Sequence, residues 1–191
     1  MPREIIKSET ILDNEFFKIT KDSYRKKNGS IVKSYYTIHR PEVAVICAIT
    51  KKNEIILIRQ YRHPVKNIDL ELPAGYIENH ENNIRLAAER ELLEETGYAV
   101  EKMIKIQTSY ASAGLMSNKI NFFIGFNAKK IKKPELDESE EIMEVFATAW
   151  DKTIELLEKE EIKDMASVTG ILLAKRYLEK INHSNEKRNL S

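Results

Sequence analysis

The segment from Gly75 to Gly97 constrains this chain more than any other, and it reads Gly-Tyr-Ile-Glu-Asn-His-Glu-Asn-Asn-Ile-Arg-Leu-Ala-Ala-Glu-Arg-Glu-Leu-Leu-Glu-Glu-Thr-Gly. Its pattern predicts a helix from about Asn83 to Thr96, ended by Gly97 in the left-handed conformation that closes helices. Residues three and four apart on a helix are surface neighbours, so Glu91 lies beside both Glu94 and Glu95. Three carboxylates this close repel one another unless water screens them or a cation holds them. Hard oxygen donors of this kind suit Mg²⁺ or Mn²⁺. A Glu-rich helix face is also an ordinary solvated surface, and Arg85, Glu89 and Arg90 supply the alternating charges for that reading. The flanks favour the metal: Glu71-Leu72-Pro73-Ala74-Gly75 makes a rigid turn ahead of the helix, and Thr96-Gly97 stops it.

Composition removes several classes of function. At 191 residues the chain fits one domain, or one domain with a small appended piece. Its net charge of +1, from 31 basic and 30 acidic residues, argues against an electrostatic nucleic-acid binder. Neither a signal peptide nor an apolar run of membrane-spanning length is visible, so no membrane partner is expected. The single Cys47 lies in the apolar run Val43 to Ile49, which reads as a core strand, and one cysteine forms no internal disulfide. A reducing cytoplasm is the simplest home.

Residues 10 to 38 alternate in strand fashion, with Lys27-Asn28-Gly29-Ser30 as a hairpin turn. The first 40 residues thus read as a small β unit. Val43 to Thr50 and Ile55 to Arg62 form two strands around the turn Lys51 to Glu54. Further strands are expected near Met103 to Gln107, Lys119 to Phe126 and Ile142 to Ala149. A polar, lysine-rich loop is expected from Asn127 to Glu141. Asp151 is expected to cap one helix (Lys152 to Lys159), and Asp164 a longer one reaching about Ile181, with Val168, Ile171, Leu172 and Leu178 at helical spacing. Residues His183 to Ser191 are polar and expected to fray.

Arg90-Glu91-Leu92-Leu93-Glu94-Glu95-Thr96-Gly97-Tyr98 resembles the second half of the Nudix box, Arg-Glu-apolar-x-Glu-Glu-x-Gly-apolar, at every position. Gly75 and Glu81 also stand at the spacing of that family. Eight residues separate Glu81 from Arg90 where the family has seven, so one residue is extra, near Asn82 and Asn83, and His80 stands where close relatives carry glycine. Ile58-Arg59-Gln60-Tyr61-Arg62-His63-Pro64, the Glu71 to Gly75 turn and Glu161 to Ser167 are similar to the Nudix branch that hydrolyses ADP-ribose and related nucleoside diphosphate sugars. Many of those hydrolases carry Ser-Pro-Gly where this chain has Ser112-Ala113-Gly114, which predicts a looser loop.

The resemblance implies an α+β Nudix fold, a mixed β-sheet sandwiched between helices, with a small N-terminal antiparallel β unit. It implies residues 1–40 as that unit, used in dimerisation and substrate binding, 41–182 as the hydrolase domain and 183–191 as a tail, in a homodimer. It assigns Mg²⁺ (or Mn²⁺) to Glu91, Glu94, Glu95 and the Ala74 carbonyl, with Glu140 of the acidic loop as a further ligand. Glu138 is the implied general base, joined by Glu91 and Glu94 as catalytic carboxylates; Glu141 is a substitute for either loop residue. Arg59, Arg62, Glu71 and Gly114 are the implied substrate contacts. From the residues alone, Arg59 and Arg62 are equally edge-strand charges that discourage pairing, and Glu71 a charged strand end. Arg90 reads as an arginine that orients the box glutamates. The implied reaction is metal-dependent hydrolysis of a nucleoside diphosphate sugar. The alternatives are another diphosphate substrate (GDP-mannose, a dinucleotide, an oxidised nucleotide) or a non-catalytic sensor of ADP-ribose-like ligands.

Overall fold

The computed structural model describes residues 3–78, 80–136 and 141–189. The chain divides into two compact units, residues 1–42 with 109–120, and residues 43–108 with 121–191.

The first unit is an antiparallel meander of β1 (Glu4–Asp13), β2 (Lys18–Arg25) and β3 (Ile31–His39). The expected hairpin turn joins β2 to β3, closed by the Lys26 amide donating to the Ser30 carbonyl at 2.8 Å. Segment 109–120 is stitched to β3: the Ile38 amide donates to the Leu115 carbonyl at 2.9 Å, and the Tyr35 hydroxyl to the Gly114 carbonyl at 2.7 Å. Ser112-Ala113-Gly114 forms a hydrogen-bonded turn. The Leu115 and Met116 amides both donate to the Ser112 carbonyl, at 2.9 and 2.7 Å.

The second unit is an eight-stranded sheet. Its strands are β4 (Val43–Thr50), β5 (Glu54–Arg62), β6 (Asn67–Glu71), β7 (Ala74–Tyr76), β8 (Tyr98–Ala99), β9 (Lys102–Tyr110), β10 (Lys119–Lys130) and β11 (Ile142–Ala149). The main path runs β11-β5-β4-β10-β8, with β6 on β5, β7 on β4 and β9 on β10. Three helices pack on it: α1 (Ile84–Thr96), α2 (Trp150–Glu158) and α3 (Met165–Asn189). β4 explains the layering. Successive side chains of a strand point to opposite faces, and in β4 both faces are covered. Ala44, Ile46 and Ala48 join Ala87, Ala88 and Leu92 of α1 in one core. On the other face Val45 lies by α3, where a Cβ on Gly170 would press against Leu72, Val45 and Phe122. A strand buried on both sides reads as an unbroken apolar run, as Val43 to Ile49 does.

Three expectations need correction. The strand β10 continues to Lys130 instead of yielding to a loop at Asn127, because Lys129 and Lys130 pair with Ala99 and Tyr98. α2 starts at Trp150 with Ala149 as an unassisted cap, and Asp151 lies inside the first turn, where its charge still favours the helix dipole. α3 does not fray at His183: it continues to Asn189, with no glycine or proline to stop it. There His183 Nδ1 and Ser184 Oγ bond back to the carbonyls of Glu179 and Lys180, at 2.7 and 2.8 Å. Of the apolar positions expected at helical spacing in α3, Ile171 is fully buried, as is Ala174, while Leu172 is 49% exposed. β6 and β7 were not foreseen as strands, since Pro73 and Gly75 hide short ladders that only pairing partners create.

Two tests follow from this packing. Gly97 closes α1 at φ +74°, and a Cβ there would overlap the Lys132 carbonyl. Gly97→Ala is expected to cost about 2 kcal/mol, read as a lower denaturation midpoint at unchanged slope. Burial pushes the Cys47 thiol up to about 12, so a disulfide reagent at pH 8 is expected to label it only as fast as the chain unfolds.

Candidate active site

The site is built on α1 and the turn that precedes it. Asn83 caps the helix, its side chain accepting from the amides of Arg85 and Leu86 at 3.1 and 3.4 Å. Ahead of the cap the chain folds back on itself: the Glu81 amide donates to the Glu78 carbonyl, and the Glu78 amide to Glu81 Oε2, both at 2.9 Å. This fold-back presents the Glu81 carboxylate toward α1. Glu81 consequently stays within reach of Arg90.

Arg90 is the hub of the charged cluster. Its Nε and Nη2 donate to the two oxygens of Glu81, both at 2.9 Å, and Nη2 also reaches the Tyr76 carbonyl at 3.1 Å. Nη1 donates to Glu94 at 2.8 Å and lies 3.0 Å from Glu91. One planar guanidinium, able to present several donors in fixed directions, therefore sets three carboxylates. Glu81, first among them, raises the Arg90 pKa further, with Glu94 and Glu91 adding. In return the Arg90 hydrogen bonds hold the Glu81 carboxyl below the usual range, aided by the Glu78 amide and opposed by desolvation.

Glu91 and Glu95 turn inward, at 7% and 2% exposure, on the same side as Ala87, Ala88 and Leu92. Helix geometry brings them there at i and i+4. Gly75 makes room: a Cβ at that position would overlap the Glu91 carboxylate. The Ala74 amide donates to Glu95 Oε2 at 2.9 Å. Among the described residues no three His, Cys, Asp or Glu side chains stand at metal-ligand spacing; Glu94 turns to Arg90, and Glu95 to the Ala74 amide. The donor chemistry nevertheless fits a hard divalent cation. Two carboxylates sit out of bulk water beside a glycine cradle and the backbone of Ala74, and oxygen ligands of this charge are what such ions take.

On the other side of the turn, Glu71 is 2% exposed and Arg62 clamps it with Nε and Nη2, at 2.8 and 2.5 Å. The Glu71 hydrogen bond raises the Arg62 pKa, and the charges of Asp164 and Glu95 add to it, which places Arg62 within the field of the box helix. Both residues line a cavity of about 460 Å³ with Asn67, Asp69, Lys163 and Asp164. Arg59 stands apart on the exposed side of β5, paired with Glu144 of β11 at 2.8 Å and lying over the Phe146 ring at 5.5 Å. Gly114 belongs to the first unit. Glu138 and Glu140 lie outside the described residues. Glu141 is exposed, and its carbonyl accepts from the Tyr61 amide at 3.2 Å. The sequence reading gave Ser167 no role of its own; its hydroxyl lies beneath the turn, accepting from the Leu72 amide at 2.9 Å, and the signal for it is the spacing Asp164-x-x-Ser167, a cap followed by a hydroxyl one turn on.

A NUDIX domain model matches residues 39–183. The chain belongs to the Nudix family. A methanol dehydrogenase activator of Bacillus methanolicus is 33% identical over 170 residues, covering 87% of this chain and 89% of its own. An ADP-ribose pyrophosphatase of Bacillus subtilis is 30% identical over 172 residues, covering 90% and 91%. The crystal structure of an ADP compounds hydrolase matches the fold with a TM-score of 0.82 at 23% identity, over 94% of this chain and 96% of that one. The fold is the α+β Nudix fold, and the chain is a Nudix pyrophosphohydrolase.

The Glu81–Arg90 pair gives this Nudix chain a defined acid limb. A carboxyl whose folded pKa is depressed adds stability above its unfolded pKa and loses it as pH falls through the folded value. Denaturation of the natural chain and Glu81→Gln is expected to differ at pH 7 and to converge well below pH 4.5, the ordinary value for this group.

Proposed function

We propose that this Nudix chain hydrolyses the diphosphate bond of ADP-ribose or a related nucleoside diphosphate sugar, with Mg²⁺ or Mn²⁺ as its cofactor. For ADP-ribose the products are AMP and ribose 5-phosphate. The observation that carries the reading is the inward turn of Glu91 and Glu95 against Ala74 and Gly75. Burying carboxylates is costly, and Arg90 and the Ala74 amide meet that cost while holding the two oxygen donors on one side of the helix. The alignment over nine-tenths of an ADP-ribose pyrophosphatase supports the substrate class.

When bound, the cation neutralises phosphate charge and lowers the pKa of water beside it. Glu91, Glu94, Glu95 and the Ala74 carbonyl would hold it, with Glu140 as a further ligand. Arg90 keeps Glu91 and Glu94 oriented while leaving Glu95 to the Ala74 amide. Glu138 accepts the proton of the attacking water, a step worth typically about 10²–10⁴-fold. Arg62, half-buried and fixed in direction by Glu71, contacts the substrate phosphate, and Arg59 and Gly114 complete the substrate contacts.

We also propose a homodimer in a reducing cytoplasm. The exposed apolar side chains Ile5, Ile6, Ile11, Leu12 and Phe16 of the first unit support the pairing, and the buried single thiol supports the compartment.

Glu95→Gln is expected to keep the circular-dichroism spectrum and to lower Mg²⁺-dependent release of AMP from ADP-ribose by at least about 10²-fold, as loss of a metal-held charge worth several kcal/mol implies. Unchanged turnover in that variant would overturn the assignment. A panel of nucleoside diphosphate derivatives ranked by kcat/KM decides the sugar and base.

A further inference from the structure

The turn Glu71-Leu72-Pro73-Ala74 sits between two charged clamps. Upstream, Glu71 holds Arg62 through both carboxylate oxygens. Downstream, the Ala74 amide holds Glu95 at 2.9 Å. Between them the backbone is fixed by two bonds from different elements. The Pro73 carbonyl accepts from the Ile46 amide of β4 at 2.9 Å. The Leu72 amide donates to Ser167 Oγ of α3, also at 2.9 Å. Ser167 is 1% exposed and Leu72 fully buried, so no water competes for this bond.

The hydroxyl of Ser167 has a set direction. It donates to an Asp164 carboxylate oxygen at 2.8 Å, and the Ser167 amide donates to the same oxygen at 2.7 Å. A hydroxyl carries one proton and two lone pairs; once Asp164 has taken the proton, a lone pair faces the Leu72 amide. The amide of Ser167 alone suffices to cap α3 with Asp164. The Oγ is therefore spare as far as the helix is concerned, and its partner lies in the turn that carries the ligand backbone of Ala74.

We propose that Ser167, oriented by Asp164, is a positioning residue for the metal-ligand face. It fixes the height of the turn, which sets the Ala74 amide and carbonyl against Glu95 and, through Glu71, the direction of Arg62. The inference rests on the metal role proposed for Glu95. Without Oγ the Leu72 amide loses its partner inside the protein, the turn relaxes, and Ala74 moves relative to a carboxylate that α1 holds still.

The test is direct Mn²⁺ binding to the full chain without substrate, followed by electron paramagnetic resonance of the free ion. It is paired with hydrogen exchange at the Leu72 amide and with thermal unfolding. Ser167→Ala is expected to bind Mn²⁺ about 10-fold or more weakly, the usual effect of removing a group that orients ligands, with faster exchange at Leu72. Ile171→Val, a fully buried change in the same helix, is expected to lower the unfolding temperature and leave Mn²⁺ binding alone. Equal loss of Mn²⁺ affinity in Ile171→Val would make the effect merely structural and overturn the proposal. Should Ser167→Ala not fold, Asp164→Ala replaces it, since it leaves Oγ in place with no fixed direction; natural binding in that variant overturns the proposal. If the natural chain itself takes up no Mn²⁺, the metal reading fails and this inference with it. Natural uptake with unchanged binding in Ser167→Ala sinks this inference alone.

Discussion

The placement of Glu91 and Glu95 on the inward side of α1 is the constraint from which the rest follows. A helix face packed against a sheet ordinarily carries leucine or alanine, and here two of its positions hold carboxylates. Taking such groups out of water costs several kcal/mol each before compensation. The surrounding chemistry answers that cost locally. Gly75 leaves space for one carboxylate, the Ala74 amide bonds the other, and Arg90 brings a positive charge to within 3.0 Å of Glu91. Each answer requires the strand-turn-helix segment to keep one register. The left-handed Gly97 at its end and the Asn83 cap at its start serve that register as much as they serve the helix.

Arg90 and Arg62 divide the electrostatic work between the two sides of the turn. Arg90 spreads its donors over Glu81, Glu91 and Glu94, whereas Arg62 spends two donors on Glu71. The first arrangement holds ligands in position and the second holds an arginine in position. Both use the planar fork of the guanidinium, which a lysine ammonium does not reproduce.

Much of this was legible in the sequence because the signals are local. The i, i+3, i+4 spacing of the glutamates, the Asn-Gly hairpin, the unbroken apolar run of β4 and the Asp164 cap each depend on residues within one turn or one strand. What escaped was set by partners far along the chain. β6 exists because β5 pairs with it, and β10 runs on to Lys130 because Tyr98 and Ala99 are there to receive it. Ser167 meets Leu72 across 95 positions of sequence, a contact no periodicity announces. The tail beyond Ile181 misled for a different reason: polar composition suggests fraying, but nothing in His183 to Asn189 breaks a helix already nucleated by packed residues upstream.

β4 carries a consequence beyond the site. Its even-numbered residues address the helix that bears the box, and its odd-numbered residues address the helix that bears Ser167. A volume change at Ala44 or Ile46 is therefore felt by the glutamates, while one at Val45 is felt by the brace under the turn. Eight consecutive residues thus hold two independent adjustments, one per face. One strand thus carries both the glutamates' helix and the brace beneath their turn.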